Sequence, residues 1–157
     1  MYSIGMDGGG TRTRLAVFEG AKECFRCETG GINYNSFSAE EIRAHLAEAV
    51  SEMVQSGFPV ADCEGVGIGA AGVSNPEAAP FLQQVLRELG FTCPVVVEGD
   101  QDAALAGAVG TGAGILLIAG TGSVCVGKDE KGNKYRSGGF GHIIDDAGSA
   151  YVVGRDI

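Results

Sequence analysis

The first residues that could carry chemistry form a glycine-rich stretch near the start of the chain. Asp7 is followed by three glycines, Gly8–Gly10, and by Thr11, after a short run that is typical of a strand. Glycines let a backbone bend sharply and let its N–H groups approach a phosphate that a Cβ atom would block. The stretch therefore favours phosphate binding, although it fits a glycine-rich β-hairpin turn with an incidental aspartate equally well.

A second stretch of the same kind lies between two apolar runs, at Gly120–Ser123, and it carries two hydroxyl groups. One such loop indicates a hairpin, whereas two in one small domain indicate a phosphate tail that is held from both sides. Neither stretch is a Walker P-loop, because no Gly-Lys-Ser/Thr precedes a helix. A dinucleotide-binding fold is disfavoured, because no G-x-G-x-x-G joins the first strand to a helix.

A third candidate is Asp100, which follows the apolar run Val95–Val97 and precedes a run of small residues typical of a helix. Ligands of open α/β sheets gather at the carboxyl ends of strands, so a carboxylate here can reach a bound hydroxyl and accept its proton. Asp100 could equally be a helix N-cap. Glu98 and Asp102 are candidates for the same role.

The elements that would position these groups follow from hydrophobic periodicity and capping signals. Three strands come first, then a helix that begins with a capping box of Ser38 and Glu41 and ends at Gly57. A buried strand leads to a helix capped by Asn75 and ended by Gly90. The remaining elements are a strand buried on both faces, a small-residue helix, strands on both sides of the second glycine stretch, an edge strand, and the start of a helix after Ser149.

Composition narrows the function classes. The chain has 157 residues, 27 glycines and a net charge of -9 without any basic cluster, which argues against nucleic acid and anionic membranes as partners. No run is long enough to span a membrane and no signal peptide is evident, so a cytoplasmic protein is expected. Five scattered cysteines favour reduced thiols, and Cys24 and Cys27 are interpreted as separate thiols on one strand.

Five segments together resemble the N-acetylglucosamine kinases and, more broadly, the BadF/BadG/BcrA/BcrD ATPase family of the actin, hexokinase and heat-shock-protein superfamily. They occur in register over nearly the whole chain and read IGMDGGGTRTRLAVF, GGINYNSF, EGDQDAALAGA, IAGTGSVCVG and GGFGHIIDDAGSAYVVG. The resemblance implies an α/β, ribonuclease-H-like (actin-like ATPase) domain with a mixed five-stranded sheet in βββαβαβ order and flanking helices. It also implies that residues 1–157 form an N-terminal lobe without its C-terminal lobe, so that the isolated chain is expected to be inactive.

The resemblance further implies ATP-dependent phosphorylation of an amino-sugar hydroxyl, with Mg²⁺ as cofactor. A homodimer is expected as the assembly. Asp7 would hold the metal, and Asp100 would be the catalytic base. The implied phosphate-binding residues are Gly9, Gly10, Thr11, Gly120, Thr121, Gly122 and Ser123. The implied sugar-binding residues are Asn33, Gly138, Gly139 and Asp146.

Two features depart from the family pattern and leave the sugar open. Phe140 stands where N-acetylglucosamine kinases often have tryptophan, and DDAGSAY replaces GDEGSAY. His142 is interpreted as a structural hydrogen-bonding residue, and His45 as a solvated residue of the first helix.

Two other functions remain alternatives to the sugar kinase. An ATPase activator of a 2-hydroxyacyl-CoA dehydratase type would need cysteines that bridge a dimer, and would purify with iron. A non-catalytic sugar-sensing domain would bind sugar without turning over ATP.

Overall fold

The computed structural model describes residues 1–156, which divide into two compact units, Met1–Asp100 and a second unit from Gln101 onward. The strands are β1 (Tyr2–Gly8), β2 (Arg12–Glu19), β3 (Lys22–Gly30), β4 (Cys63–Ala70), β5 (Val95–Gly99), β6 (Gly114–Ala119), β7 (Ser123–Lys128) and β8 (Lys134–Gly138). The helices are α1 (Ala39–Gln55), α2 (Ala78–Glu88), α3 (Asp100–Val109) and α4 (Ala150–Asp156), with a 3₁₀ turn at Val60–Asp62. The junction of the units has no linker signature in the sequence, and the assignment of the chain as one lobe stays a prediction.

The first unit is built on the mixed five-stranded sheet that the sequence predicted. Its strand order is β3-β2-β1-β4-β5. β2 runs antiparallel to β1 and β3, whereas β1, β4 and β5 are parallel. Apolar residues alternate along β1, where Tyr2, Ile4 and Met6 are buried, because successive side chains of a strand point to opposite faces.

α1 supplies much of the core of the first unit. The predicted capping box is present, because the Ser38 hydroxyl accepts the Glu41 N–H and the Glu41 carboxylate accepts the Ser38 N–H. The buried stripe of the helix consists of Ile42, Leu46, Ala49, Val50 and Met53. This spacing places one face of the helix on the sheet, and α1 packs chiefly against β3.

Two local predictions in the first unit were wrong. Asn75 is not the N-cap of α2: its side chain accepts the Glu77 N–H at 3.0 Å in a turn before the helix, and Glu77 occupies the cap position. β5 is not buried on both faces, since it lies at the edge of the sheet and Val96 is 57% exposed.

His45 is also not simply solvated. Its Nδ1 lies 2.8 Å from the carbonyl oxygen of Gly31, and its ring packs edge-on against Phe37. A Cβ atom on Gly30 would lie 2.3 Å from the imidazole ring. The glycine at the end of β3 is therefore required so that α1 can lie against the strand at this point.

The second unit contains an antiparallel sheet in the order β6-β7-β8. Leu105 of α3 packs against Val124 and Val126 of β7 to form its small apolar core. Ile115 and Leu117 lie on exposed positions of β6. The predicted edge strand and the helix after Ser149 are both present, as β8 and α4.

The second unit repeats the local design of β1–β3. In each unit a strand enters a glycine stretch that contains a hydroxyl residue, and a second strand ends at a turn containing a glycine of positive φ, Gly20 (60°) or Gly132 (82°). A third strand then ends at paired glycines, and the next helix has a serine at its start, Ser38 or Ser149. The two glycine stretches therefore occupy the same place in two similar three-stranded meanders.

No helix within residues 1–156 is long and apolar enough to cross a membrane.

Candidate functional site

The first glycine loop (Gly8–Thr11) joins β1 to β2 as a tight turn. The Gly9 N–H donates to the carbonyl of Arg12 at 2.9 Å and closes the turn. Within residues 1–156 the N–H groups of Gly10 and Thr11 have no hydrogen-bond partner, and both residues are exposed. The loop therefore presents two consecutive free backbone donors, which suit an anionic ligand.

The packing around this loop explains why it is made of glycine. A Cβ atom on Gly8 would lie 2.5 Å from the side chain of Ile32, which is fully buried. A Cβ atom on Gly31 would lie 2.8 Å from the carbonyl oxygen of Gly9. The loop and the segment after β3 are thus in backbone contact, and the Ile32 N–H donates to the Gly9 carbonyl at 3.3 Å.

Asp7 lies on the exposed face of β1, one residue before the first glycine loop. Its carboxylate lies 3.7 Å from the guanidinium of Arg14, which also pairs with Glu28 at 3.2 Å. The Asp7 side chain is 69% exposed, so this ion pair contributes little to stability and leaves the carboxylate accessible.

Asn33 lies beside the first glycine loop. A Cβ atom on Gly10 would be 3.8 Å from its Nδ2 atom. Its Oδ1 atom accepts the Asn35 N–H at 3.0 Å, which fixes the orientation of the amide. A Cβ atom on Gly72 would lie 2.3 Å from Oδ1, and Gly72 has a φ of 85°, so only glycine fits there.

The second glycine loop (Gly120–Ser123) lines an open cleft of about 330 Å³ in the second unit. The same cleft is lined by Gly139 and Asp146, two of the predicted sugar-binding residues. Gly138, which directly precedes Gly139 in the chain, is not among the lining residues. Sequence reasoning missed Gln101 and Gly141, which also line it. Gln101 directly follows Asp100, and this adjacency was the only available signal.

A segment that starts at Asp146 holds the second glycine loop by hydrogen bonds. The Asp146 Oδ1 atom accepts the Ser123 N–H at 3.2 Å, and the Ser123 hydroxyl donates to the carbonyl of Ala147 at 2.9 Å. The Ala150 N–H, at the start of α4, donates to the carbonyl of Gly120 at 2.8 Å. Asp146 has a φ of 68°, in the left-handed region that aspartate and asparagine adopt more readily than other non-glycine residues.

The backbone conformation at the end of β8 favours glycine at two consecutive positions. Gly138 and Gly139 have φ values of 80° and 74°, and a Cβ atom on Gly139 would lie 2.9 Å from the side chain of Val124. Arg136 donates to the carbonyls of both glycines and stacks over the ring of Phe140, which is 63% exposed. His142 makes a ring contact with Tyr151, with centroids 4.5 Å apart.

Asp100 is the first residue of α3, directly after β5, and it is exposed. This is the strand-to-helix position that the sequence predicted. The Asp102 carboxylate lies 2.9 Å from the Lys134 ammonium group. Glu98 lies on an exposed position of β5.

The cysteines form no disulfide, although the sulfur atoms of Cys63 and Cys93 lie 3.7 Å apart. All five are free thiols, including Cys24 and Cys27 on β3, and no group of three or more His, Cys, Asp or Glu residues within 1–156 could hold a metal ion. Burial raises the pKa of the Cys27 thiol to about 11. Burial and the nearby Cys93 raise the pKa of Cys63 to about 12, so neither thiol is a nucleophile near neutral pH.

The structure thus groups several of the predicted site residues within each unit, and Asp100 lies at the start of α3 outside both groups. Asn33 and Asp7 accompany the first glycine loop, and Gly139 and Asp146 share a cleft with the second.

A sequence model of the BadF/BadG/BcrA/BcrD ATPase family matches residues 4–157. The chain belongs to this family.

Two curated relatives of this family member are sugar kinases. The N-acetylmuramic acid/N-acetylglucosamine kinase of Clostridium acetobutylicum is 37% identical over 158 residues, which cover 98% of this chain and 51% of that protein. The N-acetyl-D-glucosamine kinase of Dictyostelium discoideum is 29% identical over 165 residues, with coverages of 98% and 52%. The chain therefore spans about half the length of the curated relatives it matches.

Solved structures confirm the predicted fold of this family member. A protein from Chromobacterium violaceum, described as a candidate N-acetylglucosamine kinase, superposes with a TM-score of 0.76 at 25% identity over 99% of this chain and 54% of that chain. A similarly described protein from Porphyromonas gingivalis has a TM-score of 0.75 at 29% identity, with coverages of 97% and 53%. The ROK hexokinase of Thermus thermophilus shares the fold, at 21% identity and a TM-score of 0.59 over 87% of this chain and 49% of that chain.

The fit of Asn33 against Gly72 can be tested by Gly72→Ala, with Gly57→Ala as matched control. Both glycines have positive φ, 85° and 95°, so each alanine costs about 1–2 kcal/mol of backbone strain. Only the Gly72 variant adds a clash, since nothing lies within 4 Å of a Cβ on Gly57. In chemical denaturation we expect Gly72→Ala to lose more stability than Gly57→Ala. In NMR we expect the Asn33 side-chain amide signal to shift in Gly72→Ala and not in Gly57→Ala. Equal losses with an unmoved Asn33 signal would contradict this geometry.

Proposed function

We propose that the protein is an ATP-dependent kinase that phosphorylates a hydroxyl group of an amino sugar, of the N-acetylglucosamine or N-acetylmuramic acid class. The observation that carries the proposal is the pair of glycine loops with free backbone donors, in a chain that is 37% identical to a kinase of these sugars over 98% of its length. Phosphoryl transfer is catalysed mainly by positioning and charge stabilisation, which such loops supply.

The first glycine loop is proposed to contact the terminal phosphates of ATP through Gly9, Gly10 and Thr11. Two free N–H groups and the exposed Thr11 hydroxyl support this role. The second glycine loop is proposed to bind phosphates through its residues Gly120, Thr121, Gly122 and Ser123. The absence of lysine from both loops means that backbone dipoles would supply most of the protein's own contribution there.

Asp7 is the residue proposed to hold Mg²⁺. Magnesium in kinases is commonly bound by one or two carboxylates together with substrate phosphates and water, so a single exposed carboxylate next to free amide donors fits this ion. When bound, the metal would neutralise charge that develops on the phosphates. Asp7 itself would orient the ion relative to the first glycine loop.

Asp100 is proposed as the catalytic base. The sugar hydroxyl oxygen would form a bond to the γ-phosphorus, the bond from that phosphorus to the β–γ bridging oxygen would break, and ADP would leave. The hydroxyl proton would pass to the Asp100 carboxylate. Its exposure at the start of α3, after a parallel strand, supports this assignment.

The sugar is proposed to bind through Asn33, Gly138, Gly139 and Asp146. The oriented amide of Asn33 and the carboxylate of Asp146 can pair with hydroxyls, and glycines let a sugar ring approach the backbone. The homodimer and the cytoplasmic location stay predictions.

The activity is tested with the protein as its gene encodes it, by ADP release with Mg²⁺ and a panel of amino sugars. Sugar-dependent ADP release with an equal amount of sugar phosphate supports the kinase. Sugar binding without ATP turnover would indicate a sensor, and stoichiometric iron with ATP hydrolysis independent of sugar would indicate a dehydratase activator.

Asp100→Asn should lower kcat by about 10²- to 10⁴-fold with little change in KM for either substrate, because the variant keeps the shape of the side chain but cannot accept the proton. Asp62→Asn, an exposed carboxylate change outside the site, serves as control. Steady-state kinetics measure both. If Glu98→Gln or Asp102→Asn abolishes turnover and Asp100→Asn does not, the base is assigned to the wrong carboxylate.

Asp7→Asn should depress turnover far more than sugar affinity, because it weakens the proposed metal ligand without touching the sugar residues. Raising the Mg²⁺ concentration should recover part of the lost turnover. Kinetics across a magnesium series, with sugar affinity from calorimetry, separate the two effects. Turnover equal to that of the unsubstituted protein would contradict the assignment of Asp7.

A further inference from the structure

The carboxylate of Asp146 lies against the second glycine loop in a way that no sequence pattern assigned. The residue is 7% exposed, and its Oδ1 atom accepts the Ser123 N–H at 3.2 Å. A Cβ atom on Gly122 would lie 3.1 Å from its Oδ2 atom. One carboxylate therefore binds the end of the loop and also leaves little room for a side chain at Gly122.

The loop is the group that compensates this buried charge. Within residues 1–156, no lysine, arginine or histidine forms an ion pair with Asp146. A buried carboxylate needs hydrogen-bond donors to offset its loss of hydration. The Ser123 N–H is the donor that the structure provides.

The backbone around Asp146 fixes the other side of the loop. The Ser149 N–H donates to the Asp146 carbonyl at 3.0 Å, which supports its φ of 68° and leads the chain into α4. The first N–H groups of α4, from Ala150 and Tyr151, then donate to the carbonyls of Gly120 and Thr121 at 2.8 and 3.4 Å.

These bonds determine where the free donors of the loop point. In a trans peptide the carbonyl and the following N–H lie in one plane and point in opposite directions. Because the Gly120 and Thr121 carbonyls are bound to α4, the N–H groups of Thr121 and Gly122 point away from it. Neither N–H has a hydrogen-bond partner within residues 1–156.

We propose that Asp146 is a positioning residue for the second glycine loop, which it holds so that the Thr121 and Gly122 N–H groups are directed at a phosphate. The ligand identity rests on the proposed function, whereas the anchoring does not. The family resemblance assigns Asp146 to the sugar alone. This positioning role is additional to sugar binding and does not need a bound sugar.

The test uses Asp146→Gly, which removes the carboxylate and suits a positive φ, and Asp146→Asn, which keeps one acceptor oxygen and tolerates this conformation. Asp145→Gly is the matched control, one residue away on the same segment. In ligand-free protein we expect faster hydrogen exchange over residues 119–124 for Asp146→Gly only. We also expect its ATP affinity, measured without sugar, to fall by roughly 10-fold, and Asp146→Asn to restore most of it.

A further variant covers the case in which Asp146→Gly does not fold. Gly122→Ala places a methyl group against the Asp146 carboxylate and should raise exchange in the same segment and weaken sugar-free ATP binding.

The proposal is wrong if Asp146→Gly, or Gly122→Ala in its place, leaves exchange and sugar-free ATP binding unchanged. Loss of amino-sugar affinity alone would leave Asp146 as a sugar ligand only. If the unsubstituted protein binds no ATP, the proposed function fails, while the exchange comparison still decides whether Asp146 anchors the loop.

Discussion

The functional interpretation depends on backbone N–H groups, at two turns between strands, that no other group within residues 1–156 uses. A peptide plane presents its N–H to a ligand more readily where its carbonyl is bound on the opposite side and no Cβ atom covers the approach. Both glycine loops use glycine at the crowded positions. In the first loop a side chain on Gly8 would overlap Ile32, and in the second a side chain on Gly122 would press on Asp146.

The surrounding elements hold these turns by strand pairing and hydrogen bonds. The first loop is bounded by β1 and β2 and contacts the segment after β3, which His45 of α1 holds through the Gly31 carbonyl. The second loop is bounded by β6 and β7 and is bound by the start of α4. In both units, therefore, a helix or the segment beside it fixes the backbone of a glycine loop, which reduces the ordering that a bound phosphate would otherwise require.

Local signals were enough to predict the elements, and contacts between distant residues explain what was missed. The capping box of Ser38 and Glu41 and the glycine stretches depend on neighbouring residues, so they could be interpreted from spacing. Asn75 was misassigned because its side chain can cap a turn as well as a helix. The edge position of β5 depends on strand order, and the contact of His45 with Gly31 depends on how α1 packs. Asp146 was expected at the sugar, and its bond to Ser123 spans 23 residues, which no motif describes.

The central claim is that the free amides of both glycine loops bind the phosphates of ATP. Amide-resolved NMR of the protein as encoded by its gene tests this claim most directly. On titration with Mg²⁺ and a non-hydrolysable ATP analogue, the account predicts that the largest shifts occur at the amides of Gly10, Thr11, Thr121 and Gly122. Saturable shifts elsewhere, with these four amides unchanged, would contradict it.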